Sequence, residues 1–365
     1  MTSCKKLGPV QQTLNIIKNI DKEVFESHLI TLYPEECEGS QLPKYLPHVN
    51  HHFVPTGKKA ILLGKDRRLR SVIEEIDPGV IHSVGVFPNF AISRMKKWKQ
   101  VTTLRNYLYD DYPAKFGKIK GYLLVWLQLY AMKRTYKTVT CSESLSAIYK
   151  EHLGLHFDYI RNGVDVEQYY IPPTEEKTAM RKKLGLTEDC FVFVYSGQMI
   201  ERKNVGFLLE AYFNKYKKTD TCLLLLGGGP LLESYKQKYC QEKNIIFFGH
   251  VSNVNDYLKA CDAYVSTSLS EGLPNGVLEA MATGLPVVLS DIPQHKEIFE
   301  ANQNIGFLYE IGNANGFAKC LEEVRIQADE MGHAAYQTAH EYFSASKMSK
   351  QYQDLYLRIC REKIK

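Results

Sequence analysis

The sequence has 365 residues, of which 44% are hydrophobic and 24% charged, so it is long enough for two domains that each bury a core. Nine cysteines without a CxxC pair are typical of neither a disulfide framework nor a thiolate zinc site. No apolar run is long enough to span a membrane, and the first residues lack the apolar core of a signal peptide, so we predict a cytoplasmic protein.

The net charge of +5 is unevenly distributed along the chain. The residues up to Tyr170 contain 24 Lys and Arg against 17 Asp and Glu, whereas the rest contain 22 against 24. A basic first half attracts acidic partners, whether phosphates, nucleic acid or an anionic membrane surface, and charge alone does not choose among them.

The first half of the chain alternates short apolar runs with helical patterns. The patterns predict helices over 10–20 and 91–98, a helix from Ser142, and strands over 28–32, 80–83, 100–104 and 138–141. A doubly wound domain normally opens with a hydrophobic strand before its first ligand-binding loop. Here the loop-like residues 5–9 come almost at once, so we expect the first strand of this domain to be missing.

The second half shows the same alternation more clearly, as a parallel α/β sheet requires. We predict strands over 191–195, 222–226, 244–248, 263–266 and 286–290, and helices over 205–216, 231–239, 254–261 and 276–282. The pair Pro172 and Pro173 and the polar residues up to Lys177 indicate a linker. The predicted fold is therefore α/β, with two Rossmann-like doubly wound domains over 1–170 and 171–340 and a C-terminal helix within 341–365.

The loop over 266–275 lies between a predicted strand and a predicted helix, where open α/β sheets bind their ligands. Its amides are placed to bind a diphosphate, and Glu279, about one turn into the helix, is placed to accept hydrogen bonds from two neighbouring hydroxyls of a ribose. Glu271 would face the group beyond the phosphates. The alternative is that Glu271 and Glu279 are solvated acids stabilised by the helix dipole. The other predicted donor-binding residues of this segment are Gly272, Leu273, Pro274, Asn275 and Gly276.

This segment reads Glu-Gly-Leu-Pro-Asn, then Leu-Glu-Ala-Met-Ala-Thr-Gly-Leu-Pro-Val-Val. It resembles the acidic signature of the retaining GT-B glycosyltransferases of family 4, in which seven residues separate two glutamates. The resemblance extends over nearly the whole chain. It implies the GT-B fold, in which the two domains face a central cleft, with the C-terminal helix packing back towards the N-terminal domain.

The residues from Gly197 to Lys203 resemble the family's first loop of the C-terminal domain, where an arginine and a lysine neutralise the donor diphosphate. Lys203 matches the lysine, but Gln198 stands at the position of the arginine. We expect the adjacent Arg202 to compensate. The alternative is that these residues form an exposed cluster at a helix start.

Two further positions resemble donor-binding segments of the family. His250 and Val251 follow the strand that lines the base pocket, although His250 fits a plain loop histidine equally well. Gly8 resembles the small residue of the N-terminal loop whose amide approaches the donor sugar, although a glycine before Pro9 is also an ordinary helix start. The run from Gly227 to Pro230 lacks a dinucleotide fingerprint and is predicted to be a turn.

Arg105 stands where many relatives place a histidine that touches the donor sugar near the reacting carbon. We predict that Arg105 belongs to the catalytic site, where it neutralises a phosphate or binds an acidic acceptor. Asp110 and Asp111 are predicted to be solvated loop acids. We expect no metal and no cofactor.

The segment over 115–137 combines the cations Lys115, Lys118, Lys120, Lys133 and Arg134 with a strongly apolar stretch. It fits an amphipathic helix that lies on an anionic membrane and reaches lipid-linked acceptors, or a buried core helix with cationic ends. We favour the surface helix because residues 94–99 are also basic.

The resemblance implies a retaining transfer of a hexosyl or N-acetylhexosaminyl unit from a nucleotide sugar, UDP-linked by family frequency. The acceptor would be a glycan or a lipid-linked glycan in the synthesis of a surface polysaccharide such as lipopolysaccharide. The enzyme would be cytoplasmic or peripheral on the inner face of the plasma membrane, without a nucleic-acid partner. A nicotinamide-dependent oxidoreductase is disfavoured by the missing glycine fingerprint, whereas a catalytically weak protein that binds nucleotide sugars or a partner remains the alternative.

Overall fold

A computed structural model describes residues 1–36, 39–216 and 220–362. The chain forms two compact units, one of Met1–Gly163 with Ala345–Lys365 and the other of Val164–Ser344. The boundaries that we inferred from the sequence, at residues 170 and 340, lie a few residues from these.

The first unit contains two parallel sheets. Strands β1 (His28–Thr31) and β2 (Asn50–Phe53) pair with each other, and a separate sheet has the order β3 (Val80–Ser83), β4 (Lys99–Leu104), β5 (Lys137–Thr140) and β6 (Asp158–Tyr159). Its helices are α1 (Gly8–Lys18), α2 (Leu42–Tyr45), α3 (Lys58–Leu62), α4 (Arg67–Ile76), α5 (Val86–Ile92), α6 (Leu108–Phe116), α7 (Lys118–Met132) and α8 (Glu143–Leu153).

No strand precedes α1 in the described residues. The residues before α1 nevertheless bond to the small sheet. The Met1 ammonium donates to the Ile30 carbonyl at 2.9 Å, and the Leu32 amide donates to the Thr2 carbonyl at 3.0 Å. An irregular segment therefore lies beside β1.

Two predictions for the first unit were wrong. The helix predicted over 91–98 lies upstream, as α5, because Pro88 falls in its first turn, where a missing backbone N–H costs nothing. Asp111 is not a solvated loop acid: it lies in the first turn of α6, is buried, and forms an ion pair with Lys115 at 2.9 Å. Asp110 also lies in the first turn of α6 rather than in a loop.

The second unit is built on one six-stranded parallel sheet in the order β12-β11-β10-β7-β8-β9. These strands are β7 (Phe191–Ser196), β8 (Thr221–Leu226), β9 (Ile245–Gly249), β10 (Ala263–Ser266), β11 (Val287–Ser290) and β12 (Gly306–Tyr309). The helices are α9 (Thr174–Lys183), α10 (Val205–Lys215), α11 (Leu232–Lys238), α12 (Val254–Leu258), α13 (Asn275–Ala282), α14 (Pro293–Ala301), α15 (Ala314–Ile326) and α16 (Ala328–Tyr342).

The five strands predicted for this half are confirmed. They read as continuous apolar runs because a parallel sheet with helices on both faces buries both sides of each strand, as for Phe193, Leu224 and Val288. The chain passes from β9 at one edge of the sheet to β10 beside β7, so the direction of winding reverses between β7 and β10. Loops at such a reversal point form the ligand-binding crevice of open α/β sheets.

The last helix, α17 (Ala345–Arg361), belongs to the first unit. The Ser349 hydroxyl donates to the Ile16 carbonyl of α1 at 2.8 Å, and Met348 and Tyr352 share a buried cluster with Val101 and Val139 of the larger sheet. The chain thus returns to the core of its first unit.

Candidate functional site

The loops that follow β7 and β10 meet at the reversal point of the second unit. The Leu269 amide donates to the Arg202 carbonyl at 2.9 Å, and the Thr267 hydroxyl donates to the Asn204 carbonyl at 3.0 Å. On the other side, the Ser290 hydroxyl of β11 donates to the Ser268 carbonyl at 2.6 Å. These bonds hold the two loops together as one surface, which we call the switch-point edge (residues 197–204 and 267–276).

Glu271 is the centre of this edge. Its carboxylate accepts hydrogen bonds from the Ser268 hydroxyl at 2.7 Å, from Arg202 Nη1 at 3.2 Å, and from Lys203 Nζ. Only 5% of Glu271 is exposed, and the side chains of Arg202 and Lys203 are 13% and 17% exposed. Neither solvated helix-start acids nor an exposed basic cluster describes these three residues.

The charges of the cluster control its protonation. Burial by itself raises the pKa of the Glu271 carboxyl, but the charges of Lys203 and Arg202 outweigh burial and lower the pKa to about 2. Glu271 is therefore ionised at neutral pH. The switch-point edge thus contains one buried anion, Glu271, which fixes the positions of two cations.

Backbone contact explains the glycine run that follows β8. The Gly197 amide donates to the Leu226 carbonyl at 2.9 Å, and the Met199 amide donates to the Gly228 carbonyl at 2.8 Å. Gly227 has φ +139°, and a Cβ there would lie 1.8 Å from the Gly197 carbonyl oxygen. The loops after β7 and β8 thus touch through their backbones, and the predicted turn is an irregular loop over 227–229 with a turn that starts at Pro230.

The loop after β9 lies next to the loop after β8. The Gly227 amide donates to the Gly249 carbonyl at 2.6 Å, which places His250 next to the glycine contact. His250 is exposed and Val251 is partly exposed. A ligand at this end of the sheet could reach both residues, but their positions alone do not show that either residue binds one.

The helix α13 begins at Asn275, after Pro274, and approaches the end of β7 closely. A Cβ on Gly276 would lie 2.6 Å from the Tyr264 hydroxyl oxygen and 2.8 Å from the Ser196 hydroxyl oxygen. Glycine allows this approach without displacing those two hydroxyls, and the approach brings the positive end of the helix to the switch-point edge. Gly272, Leu273 and Pro274 are buried in the loop that leads to it.

Glu279 lies in the second turn of α13 and is partly buried. Tyr169, which is 9% exposed, lies close to it: burial first, and then the charge of the Glu279 carboxylate, raise the pKa of the Tyr169 phenol. Sequence reasoning missed Tyr169, because no local pattern links two residues so far apart in the chain.

His295 contacts Ser290, the residue of β11 whose hydroxyl bonds to the switch-point edge. It is fully buried, and its Nδ1 atom lies 2.8 Å from the Ser290 carbonyl oxygen. Burial lowers the pKa of His295 to about 4, so the imidazole is neutral at pH 7 and Nδ1 donates to that carbonyl. Among the residues that the structure describes, no group of three or more His, Cys, Asp or Glu side chains could hold a metal ion.

The two predicted site residues of the first unit lie on different elements. Gly8 is exposed and is the first residue of α1, where its amide needs no partner within the helix. Arg105 follows the carboxyl end of β4, and its Nη1 atom donates to the Asn162 side-chain oxygen at 2.6 Å. Its Nη2 atom is buried and has no hydrogen-bond partner in the described part of the chain.

The helix α7 is half-buried. Its inner face packs tightly on α6, since a Cβ on Gly121 would lie 2.4 Å from Pro113 Cα. Its outer face is apolar: Ile119 is 92% exposed, Leu123 62% and Trp126 60%. Within the described residues, no helix has both the length and the hydropathy needed to cross a bilayer.

Comparison with known proteins gives matches over both units. A family model described as Glycosyltransferase Family 4 matches residues 8–168, and one described as Glycosyl transferases group 1 matches residues 190–325. The Escherichia coli UDP-Gal:alpha-D-GlcNAc-diphosphoundecaprenol alpha-1,3-galactosyltransferase is 26% identical in an alignment of 343 positions that covers 89% of this chain and 86% of that protein.

The O-antigen biosynthesis glycosyltransferase WclY of Escherichia coli is 22% identical in an alignment of 376 positions, gaps included, that covers 99% of this chain and 98% of that protein. Among solved structures, Anabaena HepE in complex with UDP-glucose matches with a TM-score of 0.79 at 16% identity, over 98% of each chain. This structural likeness supports the fold described above.

Proposed function

Because the chain belongs to the glycosyltransferases of family 4 and has the GT-B fold, we propose that it transfers a hexosyl or N-acetylhexosaminyl unit from a UDP-sugar with retention of anomeric configuration. The acceptor is a glycan or a lipid-linked glycan, and the product belongs to a bacterial surface polysaccharide. The observation that carries this proposal is the switch-point edge, where Glu271 holds two cations beside the N-terminus of α13.

The chemistry requires stabilisation of a departing diphosphate. Lys203, Arg202 and the first amides of α13 supply fixed positive charge for the phosphate oxygens, and fixed charge stabilises a transition state without reorganisation. Glu279 holds the ribose hydroxyls. Glu271 keeps the two cations in place and accepts hydrogen bonds from the hydroxyls of the transferred sugar.

The transfer itself balances without a protein base. The bond between the anomeric carbon and the diphosphate oxygen breaks, with its electron pair going to the diphosphate. The acceptor oxygen bonds to the same face of the anomeric carbon, and the acceptor proton passes to the leaving phosphate. Gly197, His250 and Val251 stand beside the nucleoside in this proposal, and Gly8 stands beside the sugar and phosphate.

Arg105 is proposed to neutralise an anionic acceptor. Its Nη2 atom lacks a partner in the described residues, and its recorded partner Asn162 is uncharged. A diphosphate suits a planar guanidinium with an available N–H donor. The name of the similar Escherichia coli galactosyltransferase specifies a UDP-sugar donor and a diphosphate-linked lipid acceptor, which agrees with this choice.

Access to such an acceptor is proposed to use the outer face of α7. Ile119, Leu123 and Trp126 form its apolar part, and exposed cations flank it at Lys118, Lys120, Lys133 and Arg134. An apolar face with basic flanks binds an anionic lipid surface. The enzyme would then be cytoplasmic and peripheral on the inner face of the plasma membrane.

Flotation with liposomes of phosphatidylglycerol and phosphatidylcholine tests this surface. We expect wild type to float and the pair Ile119→Asp and Leu123→Asp to stay at the bottom. Ile326→Asp is the control, because Ile326 is 83% exposed in the second unit and should not affect flotation. If all three proteins float equally, or if wild type does not float, the proposal that α7 binds a membrane is wrong.

The transferase proposal is tested with a panel of UDP-, GDP- and dTDP-sugars. We expect one UDP-sugar to release UDP, slowly with water and faster with diphosphate-linked lipid acceptors, and NMR of the product to show the anomeric configuration of the donor. An inverted product would rule out retention. Binding of a UDP-sugar with no release of UDP under any condition would favour the catalytically weak binding protein.

A further inference from the structure

Ser268 is one of three residues that donate to the Glu271 carboxylate, and it is the stiffest of the three. The Ser268 hydroxyl donates to Glu271 Oε1 at 2.7 Å, and Lys203 Nζ donates to the same oxygen. Arg202 Nη1 donates to Oε2 at 3.2 Å. Lysine and arginine carry their charges on long side chains with many rotamers, whereas a serine hydroxyl is attached directly to Cβ. The backbone of Ser268 therefore sets the position of its hydroxyl.

That backbone is held by bonds from two other parts of the second unit. The Ser290 hydroxyl of β11 donates to the Ser268 carbonyl at 2.6 Å. The residues before and after Ser268, which are Thr267 and Leu269, donate to backbone carbonyls of residues 202–204. Ser268 itself is fully buried. Its hydroxyl thus has a fixed place beside Glu271.

The Ser268 hydroxyl has one proton, and its neighbours determine where that proton points. Burial raises the pKa of Glu271, but the charges of Lys203 and Arg202 lower it to about 2, so the carboxylate is ionised at neutral pH and only accepts. Ser268 must donate to it. The Ser266 hydroxyl, whose oxygen lies 3.3 Å from Ser268 Oγ, then donates to Ser268. A bond to a charged acceptor is stronger than one between neutral groups.

We propose that Ser268 is a positioning residue, whose hydroxyl holds the Glu271 carboxylate at the rotation in which one oxygen meets Lys203 and the other meets Arg202. The last torsion of a glutamate side chain has a broad distribution, so the carboxylate turns more freely without this bond. The two cations then lose a fixed partner. Stabilisation of the leaving diphosphate depends on their positions, because fixed charges need no reorganisation during the reaction.

This inference rests on the proposed function, because it assigns the cluster to the leaving diphosphate of a nucleotide sugar. Ser268→Ala removes only a hydroxyl, so the variant should fold. The matched control is Ser349→Ala in the first unit. Ser349 is also fully buried, and its hydroxyl donates to the Ile16 carbonyl at 2.8 Å. Each hydroxyl also accepts one bond from a neighbouring side chain, but only that of Ser268 reaches Glu271.

The test measures release of UDP from UDP-glucose, UDP-galactose and UDP-N-acetylglucosamine, with the sugar that wild type uses fastest taken for the variants. We expect Ser268→Ala to lower kcat about tenfold, since a hydrogen bond to a charged group has roughly this effect. The KM should change less than about threefold, because the charges matter most as the diphosphate leaves. Ser349→Ala should keep the wild-type kcat, although urea unfolding should show a similar loss of stability for both serine variants.

A double variant shows whether the hydroxyl acts through Glu271. In Glu271→Gln the amide no longer neutralises the two cations, so Ser268 has little left to position. We expect Ser268→Ala to lower kcat less than about twofold in that background, a non-additivity typical of residues in contact. Ser268→Cys keeps a donor, but a thiol donates weakly, so its kcat should lie between those of wild type and Ser268→Ala.

The outcomes distinguish the positioning role from the proposed function. If Ser268→Ala keeps the wild-type kcat, as Ser349→Ala does, the positioning role is wrong and the transferase proposal stands. If Ser268→Ala lowers kcat by the same factor with and without Glu271→Gln, its effect does not pass through Glu271 and the positioning role is also wrong. If wild type releases UDP from none of the three sugars, the UDP-sugar proposal fails and the role of Ser268 in that reaction fails with it.

Discussion

The two units place cations at the carboxyl ends of parallel strands in different ways. In the second unit, Arg202 and Lys203 are held by the buried Glu271. In the first unit, Arg105 has the uncharged Asn162 as its recorded partner, and its Nη2 atom has none among the described residues. A compensated cluster keeps its geometry before a ligand binds, whereas a cation without an acid is available to a ligand that brings its own negative charge. The comparison suggests that the second unit is preorganised for the donor and that the first unit recognises the acceptor.

The largest expected effect comes from breaking the compensated cluster with Glu271→Gln. Removal of the charge leaves two cations in a largely buried site, so we expect the free energy of unfolding to fall by about 3 kcal/mol. Transfer should slow at least about 100-fold, since misplaced charges stabilise the leaving group poorly. Urea unfolding and the rate of UDP release measure the two effects. Glu201→Gln, an exposed acid at the same edge, is the control. Unchanged transfer by Glu271→Gln would refute the preorganised cluster.

Gly276→Ala tests whether the approach of α13 to β7 matters. The added methyl would meet the hydroxyl oxygens of Tyr264 and Ser196 at 2.6 and 2.8 Å, so either these side chains or the start of the helix must shift. We expect the affinity for UDP to fall about tenfold, which calorimetry measures. Gly228→Ala is the matched control, because a Cβ there has no atom within 4 Å. Equal affinities for the two variants would show that the helix N-terminus does not contact the donor.

Arg105→Gln sharpens the contrast between the units. Loss of the guanidinium should lower kcat/KM for a diphosphate-linked acceptor about tenfold, the usual cost of one hydrogen bond between charged groups. The affinity for UDP should not change, because UDP belongs to the second unit. Initial rates at varied acceptor and calorimetry with UDP separate the effects, and Arg68→Gln, an exposed cation of the same unit, is the control. A fall in UDP affinity instead would assign Arg105 to the donor.

The smallest effect is a dependence of stability on pH. The pKa of Glu271 is about 2 in the folded protein, below its ordinary value of 4.5. A lowered folded-state pKa stabilises the protein above the unfolded-state pKa, and this contribution is lost as the pH falls towards the folded-state value. The difference in urea midpoint between wild type and Glu271→Gln should therefore shrink from pH 5.5 to pH 3.5. A difference that grows over this range would contradict the charge assignment.

Much of the second unit could be predicted because its signals are local. Strands such as β7 and β8 are uninterrupted apolar runs between glycines and polar residues. In the first unit, β2 has the sequence Asn-His-His-Phe, and no residue in it is buried, so it carries no apolar pattern. The helix α5 was misplaced because Pro88 reads as a helix breaker unless it lies in the first turn.

The residues of the candidate site also fall into those that local sequence patterns reveal and those that they do not. Glu271, Glu279 and Gly276 stand out by their spacing around one strand, loop and helix. The pairing of Glu271 with Lys203 joins residues 68 positions apart, and the electrostatic interaction between Tyr169 and Glu279 spans a longer separation. Such contacts depend on the order of strands in the sheet, which local patterns do not contain. Asp111 differs: its ion pair with Lys115 is a local i, i+4 contact within α6, and only its burial depends on packing in the folded unit.

The claim that the second unit binds the donor through α13 is tested most directly by calorimetric titration of UDP into wild type and Glu279→Ala. The account predicts at least about tenfold weaker binding to Glu279→Ala, because the ribose loses its carboxylate partner. Glu310→Ala, which removes an exposed acid after β12, should bind as wild type does. Equal affinity of Glu279→Ala and wild type for UDP would contradict the account.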